Sequence, residues 1–106
     1  ILISVDTLRA DHLGTYGYAK PTSPNLDAFA REAQVFENAL AQGSDTVNSC
    51  SSLLTGFFPH ETKSTEVHAL PLEVETLPEM LASHGYATVA VVSNYVLRSS
   101  QGFSQG

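Results

Sequence analysis

Two kinds of apolar pattern alternate along the chain. Ile1-Leu2-Ile3-Ser4-Val5 and Ala87-Thr88-Val89-Ala90-Val91-Val92 are short, nearly continuous apolar runs. That pattern suits strands buried on both faces of a parallel sheet. Val35 to Ala41 is a third β-like stretch. Elsewhere the period lengthens. Leu26, Phe29, Ala30 and Ala33 recur at i, i+3, i+4 and i+7, one apolar face of a helix that Ser23-Pro24 opens as N-cap and first helical residue. Residues 47–55 predict a second helix closing at Gly56, a residue suited to a left-handed C-terminal cap. Thr76-Leu77-Pro78-Glu79 fits a capping box and opens a third helix, striped by Leu77, Met80 and Leu81 and ended by Gly85. Residues 7–22 read as an irregular crossing with room for one helical turn, Gly43-Ser44-Asp45 as a turn, and 57–73 as a loop.

The order strand, helix, strand, helix, helix, strand predicts an α/β fold, a mostly parallel sheet with helices on both faces. Three strands and three short helices offer little cover for such strands. No internal repeat is visible.

Composition narrows the function. The chain has 106 residues, 11 acidic and 5 basic, for a net charge of −6. At 42% hydrophobic it is expected to fold rather than remain disordered. The acidic balance argues against nucleic acid or an anionic membrane as partner, since both call for clustered Lys and Arg. No apolar run reaches the roughly 18 residues of a membrane span. A single cysteine, Cys50, excludes an internal disulfide framework and a multi-cysteine zinc site. The chain opens without Met and is expected to be part of something longer, so the compartment is left open.

In parallel sheets ligands gather beyond the carboxyl ends of the strands, where Asp6 and Asn94 are expected. Asp6 reads either as a carboxylate ligand for a hard divalent cation or as a cap on the turn that follows it. Thr46 reads either as an ordinary helix N-cap or as a hydroxyl nucleophile at the positive end of the 47–55 helix, activated by a metal. The other polar residues have plainer readings. Arg9 pairs with Asp11 or meets an anion, Asn94 caps or orients a loop, and His84 meets the end of its helix dipole. Cys50 is a small buried thiol. His60 either approaches the site from the loop after the helix or is solvated, and His12 either reaches a charged ligand from the first loop or stays at the surface. Glu66, Glu73, Glu75 and Glu79 form a solvated acidic edge.

Five collinear segments carry a resemblance. Asp6-Thr7-Leu8-Arg9-Ala10-Asp11-His12-Leu13-Gly14 with Tyr16-Gly17-Tyr18 is similar to the opening of the sulfatase family, within the alkaline phosphatase superfamily. Thr22-Ser23-Pro24-Asn25-Leu26-Asp27 resembles its "TPNLD" helix start, and Ser51-Ser52-Leu53-Leu54-Thr55-Gly56 through Pro59-His60 its "SLLTGxxPH" segment. Thr76 to Thr88 resembles "TLAELLxxxGYxT", and Ser93-Asn94 with Ser100-Gln101-Gly102-Phe103 resembles "SN…SxGFxQGF".

The resemblance implies a partial alkaline-phosphatase-like three-layer α/β/α fold, with residues 1–106 as the N-terminal part of one incomplete catalytic domain. It implies a metal-dependent hydrolase of sulfate esters, with Asp6 as the first metal-binding Asp and Thr46 as nucleophile and metal ligand. Thr7 stands where many sulfatases carry a second Asp. The family's nucleophile motif is Cys (or Ser)-x-Pro-x-Arg, its first residue ten before the Gly of "LLTG". That position here is Thr46, the motif's Pro is Asn48 and its Arg is Cys50. No formylglycine is therefore expected. Formylglycine hydrate expels sulfate by elimination, and a Thr ester lacks that route. An unmodified Thr resembles the phosphodiesterase and phosphotransferase branches, where it attacks phosphorus directly. The implied cofactor is Ca²⁺ or Mg²⁺ on the sulfatase reading and Zn²⁺ or Mn²⁺ on the threonine reading. The implied partners are a sulfate or phosphate ester, carried by a small molecule, glycan or lipid, and the remainder of the same catalytic domain. The changed signature also leaves room for a catalytically inactive sulfatase-fold binding protein.

Overall fold

The computed structural model describes residues 1–106, which divide into two bodies, Ile1–Leu40 and Ala41–Gly106. The first body is built around α1, Pro24–Ala30, preceded by 3-10 turns at Ala10–His12 and Gly14–Tyr16. Pro24 starts α1 because its missing N–H falls where a helix has no acceptor for one. Ser23 stands at the N-cap position but does not cap. Its hydroxyl accepts the Gly14 N–H (3.0 Å) and donates to the Asp27 carboxylate (3.1 Å). Thr15 adds two donors to Asp27 Oδ1, from its N–H (2.8 Å) and its hydroxyl (2.9 Å). One carboxylate thus ties the Gly14–Tyr16 turn to α1, and it lies so close to Gly14 that any side chain there would collide with it. The apolar periodicity extends to Ala33, whereas α1 stops at Ala30. The N–H groups of Arg31, Glu32 and Ala33 reach back three residues rather than four, so the last turn tightens.

In the second body α2, Thr46–Thr55, is the central element. It packs on α3 (Pro59–Thr62), on α4 (Leu77–Ser83) and on a 3-10 turn at Tyr95–Leu97. Gly56 closes α2 in the left-handed conformation (φ 75°), as its sequence position predicts. Thr76 and Glu79 close the capping box of α4 reciprocally. The core is small and unusually polar. Val47 and Leu70 are buried beside Ser51, Thr62 and Ser64. Ser64 Oγ donates to Ser51 Oγ (2.7 Å) and shares a 3.1 Å hydrogen bond with Thr62 Oγ1, so a chain of hydroxyls joins α2 to the segment after α3. Gln101 fastens the loop from Glu66 to Leu70. Its carbonyl accepts the Leu70 N–H (3.0 Å) and its side-chain amide donates to the Glu66 carbonyl (2.9 Å).

The expected α/β fold with a parallel sheet is not what forms. The chain has helices and turns but no strand or sheet. Residues 1–5, 35–41 and 87–92 have the composition of strands yet join no ladder, and a strand exists only where a neighbour pairs its backbone N–H and C=O groups. Their side chains show the consequence. Ile3 is 79% exposed, Val89 90% and Val91 99%, where strands of a two-sided layer would be covered. The 57–73 stretch, read as loop, holds α3. Pro59 starts it, and Glu61 Oε2 accepts the Phe58 N–H (2.7 Å).

Candidate active site

Asp6 lies in the first body, exposed, and is followed by Thr7 in the left-handed region (φ 56°), so the backbone turns sharply directly after the carboxylate. The first 3-10 turn begins only at Ala10 and its N-cap position is Arg9, so Asp6 does not cap it. Beyond it Arg9 donates to Asp11 through Nε (2.9 Å) and an Nη (2.5 Å), and His12 Nδ1 lies 3.0 Å from the same carboxylate. The Arg9 bonds, with help from His12, hold the Asp11 carboxyl down to about 2. His12 also lies tilted against Tyr18, ring centroids 4.9 Å apart.

Thr46 lies in the second body, half-buried, as the first residue of α2. The N-cap is Asp45, whose Oδ1 accepts the Asn48 N–H (2.9 Å) while its Oδ2 accepts from the Asn48 side-chain amide (2.7 Å). The plain reading of Thr46 as the cap therefore falls away: the capping carboxylate sits one residue earlier. These Asn48 bonds push the Asp45 carboxyl below its usual range despite the opposing cost of partial burial. The positive end of α2 thus already faces a carboxylate, an arrangement that suits a cation beside Thr46 better than a lone anion.

The remaining expectations divide. Asn94 caps, its Oδ1 accepting the Val96 N–H (3.1 Å). His84 Nδ1 lies 2.8 Å from the Met80 carbonyl at the end of α4. His60 is exposed and stacks on Phe58 at 5.9 Å. Glu66, Glu73 and Glu75 are exposed, whereas Glu79 works in the capping box. Cys50 is half-buried on α2 and forms no disulfide, so the expectation of a buried thiol is met only halfway.

The sulfatase family model matches residues 1–105. The chain belongs to the sulfatase family. It is 37% identical over 97 residues to human iduronate 2-sulfatase, a match covering 86% of this chain and 17% of that protein. It is 35% identical over 95 residues to arylsulfatase A of Bos taurus, covering 83% of this chain and 19% of the relative. With an N-acetylgalactosamine-6-O-sulfatase of Bacteroides thetaiotaomicron it shares 32% identity over 97 residues, covering 86% and 19%. No solved structure matches it. The sulfatase chain thus spans less than a fifth of the length of these relatives.

The Asn48 N–H has a specific use at the start of α2. A proline has no N–H, so a Pro at position 48 would leave Asp45 without the backbone donor that Asn48 supplies. Asp45 is the residue that sequence reading passes over. Its signal was present in the Asp-x-x-Asn spacing of Asp45 to Asn48, read instead as the end of a turn.

Proposed function

We propose that this chain carries the nucleophile and one metal-binding carboxylate of a metal-dependent hydrolase of sulfate esters, the remaining ligands belonging to a larger catalytic domain. One observation carries the reading. A chain of the sulfatase family holds Thr46 at the first position of α2, ten residues before the left-handed Gly56, where the family keeps its nucleophile. Thr46 Oγ1 would attack the tetrahedral centre in line, the new bond forming as the bond to the ester's alcohol oxygen breaks and the alcohol leaves with a proton. Water would then displace Thr46 from the same centre and release the inorganic oxyanion.

Asp6 and Thr46 each offer oxygen, the kind of donor a hard divalent cation takes. No group of three or more His, Cys, Asp or Glu side chains is gathered to hold a metal. When bound, such a cation lowers the pKa of the hydroxyl and offsets charge on the equatorial oxygens. Asp45 keeps its charge near the neutral range and adds negative potential beside Thr46. An anion would therefore be held there only in company with positive charge.

An unmodified threonine favours a second reading, hydrolysis or transfer of a phosphate ester through a phosphothreonine. Full-length protein assayed with an aryl sulfate, a phosphate monoester and a phosphate diester separates the two chemistries. Thr46→Ala is expected to lower turnover by at least about a thousandfold with the circular dichroism unchanged. Retained turnover would move the nucleophile elsewhere. No turnover of any ester by the unaltered protein would leave a binding protein on a sulfatase scaffold.

A further inference from the structure

Asp45 directly precedes Thr46, so their Cα atoms lie about 3.8 Å apart, and its side chain is half-buried at the start of α2. One residue holds both of its carboxylate oxygens. Asn48 donates its backbone N–H to Oδ1 (2.9 Å) and its side-chain amide to Oδ2 (2.7 Å). Asn48 is confined in its turn, because a Cβ on Gly43 would lie 2.6 Å from the Asn48 Cβ. The carboxylate therefore leaves the start of α2 only by giving up both bonds. No Lys or Arg offsets its charge, since the ion pairs of this chain both fall on Asp11. Capping asks for an oxygen acceptor alone, which Asn or Ser supplies as well as Asp. The charge goes beyond what the helix requires.

We infer that Asp45 selects esters by their charge, admitting the singly charged sulfate monoester or phosphate diester and disfavouring the doubly charged phosphate monoester. This rests on Thr46 as the attacking hydroxyl and narrows the substrate class of that reading. In-line attack brings the sulfur or phosphorus to within about 3.5 Å of the hydroxyl oxygen, which sets the ester's charged oxygens near the residue that precedes Thr46. A phosphate monoester loses its second proton near a pKa of about 6, so at about pH 8 it carries two charges where the other esters carry one. Repulsion scales with the ester's charge. Whatever positive charge the rest of the site supplies, a fixed carboxylate takes more from the binding of a dianion than from that of a monoanion. For unit charges several ångströms apart at an effective dielectric of about 20, the difference is about tenfold or more in affinity. Partial burial limits how far salt screens it.

Full-length protein is assayed at about pH 8 with whichever of an aryl sulfate, a methyl aryl phosphate and an aryl phosphate it cleaves. Two inhibitors of nearly equal size are titrated against that turnover. Phenyl phosphate is a dianion, and phenyl methylphosphonate is a monoanion with a methyl group in place of one oxygen. Asp45→Asn removes the charge and keeps an acceptor for the Asn48 N–H. It is expected to tighten phenyl phosphate relative to phenyl methylphosphonate by about tenfold in the ratio of inhibition constants. Asp45→Ser is expected to do the same, and Asp45→Glu, which keeps the charge, to leave the ratio near that of the unaltered protein. Calorimetric titration with the same two anions reads the ratio in any variant that cleaves nothing. An unchanged ratio in Asp45→Asn and Asp45→Ser, with the ester still cleaved by the unaltered protein, overturns this inference alone. Failure of the unaltered protein to cleave any of the three esters overturns it together with the reading of Thr46.

Discussion

At the scale of single residues, Asp45 decides how the candidate nucleophile is presented. It satisfies one of the N–H groups that a helix start leaves open and does so with a charged acceptor. Asp45→Ala is expected to destabilise the second body by about 1 kcal/mol in urea unfolding. The pH dependence has a definite sign. The Asp45 carboxyl is depressed in the folded chain, so its contribution is complete above the ordinary value of 3.8 and is lost as pH falls through the lower folded value. Acid unfolding monitored by α2 amides should therefore begin at higher pH in Asp45→Ala than in the unaltered chain. That Thr46 stands at the start of α2 was legible in the sequence. Asp45 was not, because a one-residue offset separates a cap from a first helical residue, and turn-forming residues suit both positions.

At the scale of elements, what could be read depended on how local the causes were. Both ends of α2 and α4 are set by residues within four positions of one another, such as Thr76 with Glu79. Gly56 offers a clean test. A Cβ there would meet nothing within 4 Å, so Gly56→Ala is opposed by backbone conformation alone and should cost on the order of 1 kcal/mol in thermal or urea melts. The apolar runs 1–5 and 87–92 have non-local causes. A continuous run of Ile, Leu and Val states that a strand would be tolerated, but pairing depends on a neighbour that the run itself does not specify. α3 was missed for the opposite reason. Its Pro59 and Glu61 are a helix-start signal, and four residues are too few for periodicity to show.

At the scale of the whole molecule, family membership was legible because five weak motifs fall in one order, and order is harder to match by chance than any single motif. The fold class was not, since a layered sheet is a property of pairings rather than of runs. Apolar exposure is extensive, with Leu40 87%, Val67 82% and Phe29 71% accessible besides the residues of the apolar runs. Around α1, Leu13, Leu26, Phe29, Val35 and Phe36 line a groove of about 350 Å³. Such surface on a small chain marks contact regions. The isolated 106-residue polypeptide is expected to bind an apolar fluorescent dye such as ANS strongly under native conditions. Dye binding no greater than that of an ordinary folded protein would contradict the exposure described.

The hydroxyl chain through Ser51, Ser64 and Thr62 bears on how rigidly the candidate nucleophile is aimed. Hydrogen bonds are directional and weaken steeply as their angle departs from linear. Held at Ser51, α2 is tied to the segment after α3 at a point five residues along the helix from Thr46, so this contact resists rotation of the helix that carries it.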